Sequence, residues 1–428
     1  MASEMMELPA VKGDQAVAVS NQGSLADLEA KIRRAKLQRQ IMALPLVAPL
    51  LLLLIFAFLI PIVLLLARSV DNREVAEIMP RTSAAIASWG GETPPDSALF
   101  EALAEDLRAG KPEQVALVAK TLNYHKSGLR TAVMAAARSA RANPSGNALD
   151  YLPSANAAWG NVETWGAVKQ ALPRFTDFYL LAALDLKRNA VGDIVAASPE
   201  SSVYREVLYR TFYISFLTTM ICLLVAYPLA YIISKATPRG ANFILLMVLL
   251  SFWTPLLVRN TSWLVVLQSN GVLNSFFALI GIISPSEPLE LVHNRVGVLI
   301  AMVHTLLPFM VLPIYSAMRS MSPNYMRAAL SLGAPPFKAF LRVYLPLSLP
   351  GVSAGCLLVF ILALGYYITP ALVGGPSDQM IAGYINQFTS GTINWGMAAA
   401  LSLVLVISVL VLYFLYARIV GIEKLKMG

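Results

Sequence analysis

Apolar residues gather in six long runs, at 41–66, 207–233, 241–267, 296–317, 347–373 and 395–416, each flanked by polar or basic positions. A helix crosses the hydrocarbon core of a bilayer with about 20 predominantly apolar residues, so each run predicts a transmembrane helix. A shorter run at 271–283 is about half a span long and predicts an interfacial or re-entrant segment. The first run is too long for the apolar stretch of a cleaved signal peptide, which has about 7–15 residues, and it lacks a small-residue cleavage site.

Between the first two runs, residues 70–205 follow a different pattern. Pro94, Pro95, Asp96 and Ser97 form a helix-start signal, Leu99, Leu103 and Leu107 then repeat every fourth position, and Gly110 ends the stripe. Similar periodicity predicts helices at 112–124, 129–141, 162–172 and 175–195. Alternating runs of β-branched residues are scarce, so the insertion reads as all-α. Trp89, Trp159 and Trp165 are expected in its core or as anchors at the membrane interface. Residues 1–40 are polar, with an amphipathic helix expected at 24–40, started by Ser24 with Asp27 near the capping-box position.

Composition agrees with the pattern. The 428 residues are 57% hydrophobic and 14% charged, against roughly 45–50% and 25% in soluble domains. That balance excludes a soluble enzyme, a disordered chain and a coiled coil. Two cysteines, Cys222 and Cys356, both inside apolar runs, exclude a disulfide scaffold. His125, His293 and His304 are too dispersed to form a metal site.

Charge then sets an orientation. Of 33 basic and 25 acidic residues, 14 and 15 fall within 70–205, so the net +8 belongs to the membrane part. Lys31, Arg33, Arg34, Lys36 and Arg39 precede the first run, Lys235 and Arg239 follow the second, and Arg319, Arg327, Lys338 and Arg342 follow the fourth. Arg418, Lys424 and Lys426 close the chain, whereas 374–394 holds no base and one acid, Asp378. By the positive-inside rule both termini are cytoplasmic and the insertion lies outside. With no basic patch on a soluble domain, no nucleic-acid partner is expected.

The segment between the fourth and fifth runs carries the most specific pattern. Met326–Gly333 predicts a short helix with a glycine stop, Ala334-Pro335-Pro336 a turn, and Phe337 onward a second amphipathic helix ended by Pro346. Phe337, Phe340, Leu341 and Tyr344 are placed on one apolar face of it. Such an elbow is what a soluble partner needs in order to push on the spans.

This segment resembles the coupling loop of ATP-binding-cassette (ABC) importer permeases: Glu-Ala-Ala, three residues, Gly, nine residues, Ile-x-Leu-Pro. Here Ala328 and Ala329 precede Gly333 by the same interval, and Val343, Leu345 and Pro346 follow in register, while the glutamate position holds Arg327. Asn260-Thr-Ser-Trp263, Gly271-Val-Leu-Asn, His304-Thr-Leu-Leu-Pro and Gly365-Tyr-Tyr-Ile-Thr-Pro-Ala-Leu-Val-Gly-Gly resemble the spermidine/putrescine class of these permeases. The likeness covers 207–426 and the first run. The family's usual loop is short where this chain carries its insertion, and Tyr366 stands where many relatives have an acid.

The resemblance implies an all-α polytopic membrane protein with the six spans of a type I ABC importer permease and a large helical periplasmic insertion. The expected organisation is a cytoplasmic segment (1–40), the first span (41–69), the insertion (70–205), a five-span core (206–418) with a coupling loop at 322–346, and a cytoplasmic tail (419–428). It implies a bacterial inner-membrane permease that takes up a polyamine, with opines and aminophosphonates as open alternatives, by alternating access. The implied partners are a dimer of ABC ATPases, a second permease in a hetero- or homodimer, a periplasmic solute-binding protein and the lipid bilayer. ATP and Mg would be bound by the ATPases, since this chain has no phosphate-binding Gly-x4-Gly-Lys-Ser/Thr loop. No catalytic residue, cofactor or metal is expected in the chain itself. The coupling residues would be Arg327, Ala328, Ala329, Gly333, Ala334, Phe337, Leu345 and Pro346.

For the solute path, aromatic faces suited to an ammonium group point to Tyr366 and Tyr367, with Asn260 and Trp263 near the outer mouth. Pro255, Pro308, Pro313 and Pro370 are hinge candidates. Two other classes compete. An ion-coupled secondary transporter would bury ionisable groups along its path, yet the six runs contain no Asp or Glu, and His304 is expected as hydrogen-bonded packing. A receptor or sensor would use the insertion as a ligand domain, but only short segments flank the spans, with no room for a signalling domain.

Overall fold

The computed structural model describes residue 45 and residues 47–420, apart from 190, 200 and 201. The helix expected at 24–40 and the basic positions near both termini lie outside the described residues. Contacts divide the chain into two units, Met1–Leu65 and Leu66–Gly428.

The first unit carries most of the apolar helix Val47–Ala67, the first span. A π-helical turn, Ile55–Leu59, interrupts it two residues before Pro61. Proline has no N–H to donate and its ring clashes with the carbonyl four residues back, and widening the helix relieves both.

In the second unit, helices Tyr204–Lys235, Arg295–Ser320, Pro336–Leu364 and Trp395–Val420 form the second, fourth, fifth and sixth spans. The second, fourth and fifth pack together around Ile214, Cys222, Met302, Met310, Ile314 and Val359. Close approach of the fourth and fifth depends on small residues. A Cβ on Gly351 would meet the Ala317 Cβ at 2.5 Å, and one on Gly355 would meet Met310 Sδ at 2.9 Å.

Two spans depart from expectation. The third is broken: Pro238–Trp253 and Leu256–Leu279 are bent by 100° at Thr254-Pro255, and the half-span expected at 271–283 is the helix Val272–Leu279 in the second limb. The fifth stops at Leu364, nine residues early, because the chain leaves the helix at Gly365 and restarts as Ile368–Val373.

The insertion has its own core. Asp96 accepts the Leu99 N–H at 3.1 Å and starts helix Ser97–Ala109. This helix packs with Leu129–Ala142 and Ala148–Ala155, and Pro112–His125 and Val162–Ala171 complete the same core. Leu99, Leu103 and Leu107 are buried, as their spacing predicts. Trp159 and Trp165 are fully buried core residues, their indole N–H groups donating to Ala132 O at 3.2 Å and Trp159 O at 2.8 Å.

The helix expected at 175–195 is not formed as such. Phe178–Ala183 is helical, and an antiparallel hairpin then pairs Leu186–Arg188 with Ile194–Ala196. Asp185 at φ 57° and Gly192 at φ 109° turn the chain where a helix would need right-handed backbone. The turn serves the membrane part. The buried Asp185 carboxylate accepts the N–H groups of Tyr204 (2.9 Å) and Arg205 (2.8 Å), placing a negative charge at the positive end of the second span.

Candidate functional site

The elbow between the fourth and fifth spans lies on the face opposite the insertion. Helix Asn324–Ser331 ends at Leu332, and Gly333 takes φ 84°, a left-handed conformation that glycine adopts without strain. Its N–H donates to Leu330 O at 3.0 Å, and the Ala334 N–H to Ala329 O at 3.2 Å, closing the turn. Leu332 and Phe337 are 88% and 75% exposed. Arg327 and Ala328 are exposed as well, so the elbow presents an apolar surface with basic neighbours.

Two expectations about the elbow are corrected. Pro346 does not end the second helix, which runs unbroken from Pro336 to Leu364 and joins the elbow rigidly to the fifth span. A π-helical turn at Phe340–Tyr344 precedes Pro346 by the same interval as the turn before Pro61. Nor do the four apolar side chains share one face. Phe337 and Leu341 are exposed, while Tyr344 is buried and Phe340 packs over it, ring centroids 5.6 Å apart, beside Tyr231. Tyr344 also lies 3.3 Å from the Ser234 hydroxyl, with the Lys235 ammonium 5.3 Å over its ring. The elbow is thereby pinned to the end of the second span.

Within the spans, the break at Thr254-Pro255 opens a cavity of about 610 Å³. Ser251, Thr254, Arg259, Trp263, His304 and Pro308 are among its lining residues. Arg259 folds back on the end of Pro238–Trp253, donating to Ser251 O, to Thr254 O at 2.9 Å and to Thr254 Oγ1 at 3.2 Å. The carbonyls left open by the broken helix are thus satisfied by a guanidinium. The Trp263 indole donates to His304 Nδ1 at 3.1 Å, which fixes His304 as an acceptor at that nitrogen.

The residues selected for the solute path separate here. Trp263 lines the cavity. Asn260 is fully buried and accepts the Thr369 hydroxyl at 2.7 Å, tying the broken third span to the helix after the fifth. Tyr366 packs against the helical core, and Tyr367 precedes Ile368–Val373; neither lines the cavity. Arg259 and His304 were not among the selected residues. Pro255 was the signal: a proline inside an apolar run leaves carbonyls unpaired, and a cation four residues on is placed to meet them.

On the insertion's side, Asp378 is buried and accepts from Arg295 Nε at 2.9 Å and from the Gly375 N–H at 3.3 Å. The insertion meets the core beside this loop. The Tyr124 hydroxyl donates to Thr392 O at 3.2 Å, and Tyr179 packs so closely on Gly396 that a Cβ there would collide with the ring.

Comparison with known proteins places these features. Residues 194–421 match the model of the binding-protein-dependent transport system inner membrane component family. The spermidine/putrescine transport system permease protein PotB of Haemophilus influenzae is 37% identical over 216 residues, covering 50% of this chain and 75% of that protein. Its namesake in Escherichia coli is 32% identical over 216 residues, 50% of this chain and 78% of that protein. Among solved structures, a bacterial ABC transporter involved in import of the acidic polysaccharide alginate overlaps 50% of this chain at 18% identity and a TM-score of 0.42. The chain belongs to the family of binding-protein-dependent transport system inner membrane components, as a non-enzymatic ABC permease subunit.

Proposed function

We propose that the chain is one permease of an ATP-driven importer that takes a polyamine from a periplasmic binding protein and passes it across the bacterial inner membrane. The observation that carries this reading is the elbow: Leu332 and Phe337 stand exposed on a turn fixed by Gly333 and continuous with the fifth span. An ATPase gripping that turn would move the fifth span as a rigid lever. Two ATPases closing on ATP would each grip one permease, this chain and a sister or second copy, and alternating access would follow. Both termini and the elbow are cytoplasmic in this scheme, and the insertion is periplasmic.

The polyamine assignment draws on the PotB relatives together with Trp263 in the otherwise largely aliphatic lining of the cavity. A protonated amine over the Trp263 face would gain about 0.5–2 kcal/mol, and the His304 nitrogen that accepts from the indole fixes that face in place. Arg259 keeps its positive charge, since its three acceptors are neutral carbonyl and hydroxyl oxygens, and an amine held at Trp263 has to tolerate that repulsion.

Uptake by the complete transporter in proteoliposomes tests the reading, with radiolabelled spermidine, putrescine, an opine and an aminophosphonate compared. ATP-dependent accumulation of a polyamine, reduced about twofold to thirtyfold by Trp263→Ala, supports it. Accumulation of an opine or aminophosphonate alone would overturn the polyamine assignment. ATP-independent uptake driven by an ion gradient would overturn the importer class.

A further inference from the structure

A second cavity, about 190 Å³, lies in the seam between the insertion and the start of the sixth span. Arg68, Asp71, Arg73, Lys120, Tyr124 and Trp395 line it. Three of these residues are cationic and one, Asp71, carries a carboxylate; Arg68 has a partner of its own, so Arg73 and Lys120 supply the excess of positive charge. That carboxylate is engaged, accepting the Arg73 backbone N–H at 3.1 Å. Lys120 Nζ stands 3.4 Å from Ile393 O, beside the Tyr124 hydroxyl, whose proton is already given to Thr392 O. The lining therefore suits an oxyanion and repels a polycation.

Position and size narrow the ligand. Arg68 directly follows the last residue of the first apolar helix, and Trp395 is the first residue of the sixth. Both mark the level where hydrocarbon gives way to headgroups, the layer in which tryptophan concentrates. The volume is below the roughly 300–1,000 Å³ of pockets that enclose a whole small molecule. It suits one polar group of a larger molecule whose remainder lies outside. Arginine recognises phosphate through paired N–H donors, which a guanidinium presents in a fixed plane.

We propose that this seam binds the phosphate of a membrane phospholipid in the leaflet on the insertion's side, fastening the insertion to the bilayer at the point where it meets the sixth span. The loop holding Thr392 and Ile393 is part of the same seam, so a seated headgroup also steadies the entry to that span. Ile393 is a β-branched residue at φ 53°, a strained conformation that its surroundings must hold.

The test uses the complete transporter, delipidated in detergent and then titrated with phosphatidylglycerol while bound lipid is counted by native mass spectrometry. The comparison is the R73Q/K120Q double variant. Loss of two cationic contacts should weaken phosphatidylglycerol binding roughly thirtyfold. Inorganic phosphate, added as a competitor, should leave the lipid in place. Equal lipid binding by wild type and variant overturns the proposal, and displacement of lipid by inorganic phosphate overturns the lipid source. A measurement on the wild type alone guards against a misfolded variant: a phospholipid carrying a photoreactive headgroup should label peptides within 68–73 or 117–124, and labelling elsewhere only would overturn the assignment.

Discussion

His125 lies flat on Phe178 in the insertion, ring centroids 3.7 Å apart, with both ring nitrogens buried and unpartnered. Burial holds its pKa down at about 3. Its unfolded value is near 6.5, so protons bind the unfolded chain preferentially between those limits. The neutral ring's contribution is complete above about pH 6.5 and is lost as pH falls toward about 3, at up to ~1.4 kcal/mol per unit. Thermal melts should therefore show wild type losing stability between about pH 6.5 and 5 while His125→Phe is flatter. Parallel curves would mean the ring is hydrated. At Asn260 the account is one of pairing. Asn260→Ala would leave the buried Thr369 hydroxyl without its acceptor and should cost about 1–3 kcal/mol of stability, read as a lower melting temperature with the cavity-lining Trp263 unaltered. Little at this scale was legible beforehand. Asn260 and Thr369 are 109 positions apart, and no local pattern shows that two polar residues on different helices will meet.

At the scale of elements, prolines decide more than periodicity does. Pro61 and Pro346 sit inside continuous helices just after a π-helical turn, and Pro228, Pro308, Pro313 and Pro350 sit inside helices without one, whereas Pro255 marks a 100° break. Sequence offers the same signal in every case, an apolar run containing proline. At the break, Arg259 meets the freed carbonyls. This is why the apolar runs located the spans but missed the form of the third, a bent pair of helices, and the end of the fifth. The hairpin after Ala183 was missed for a related reason: its strands are three residues each and make no readable alternation. Packing of the fourth on the fifth span offers a direct check. Gly351→Leu would force apart helices that approach within van der Waals range of the missing Cβ. A cost of about 1–3 kcal/mol is expected for such overpacking, seen as lower thermal stability of the purified protein; an unchanged midpoint would show that the crossing adapts.

For the molecule as a whole, the insertion and the five-span core form one unit rather than two. Asp185 caps the second span, Tyr179 seats on Gly396, and Tyr124 reaches Thr392. The insertion thus touches the starts of two spans. We expect it to position the binding protein or the outer gate, so deleting residues 73–202 should weaken uptake while the spans still insert, checked by uptake in cells and by membrane fractionation. Unchanged uptake would contradict that role. Sequence announced the insertion as a separate charge-balanced stretch, but its contacts with the core were not legible, since they depend on a glycine and on backbone carbonyls that no composition reveals.

In the proposed mechanism the elbow around Gly333 transmits ATPase closure to the spans. Its most direct test is ATP hydrolysis by the complete reconstituted transporter, with and without solute-loaded binding protein, in wild type and Gly333→Pro. Proline is fixed near φ −65° and is incompatible with the φ of 84° found here. Loaded binding protein should stimulate wild-type hydrolysis, and the variant should assemble yet lose the stimulation. Stimulation undiminished in an assembled Gly333→Pro transporter would contradict it.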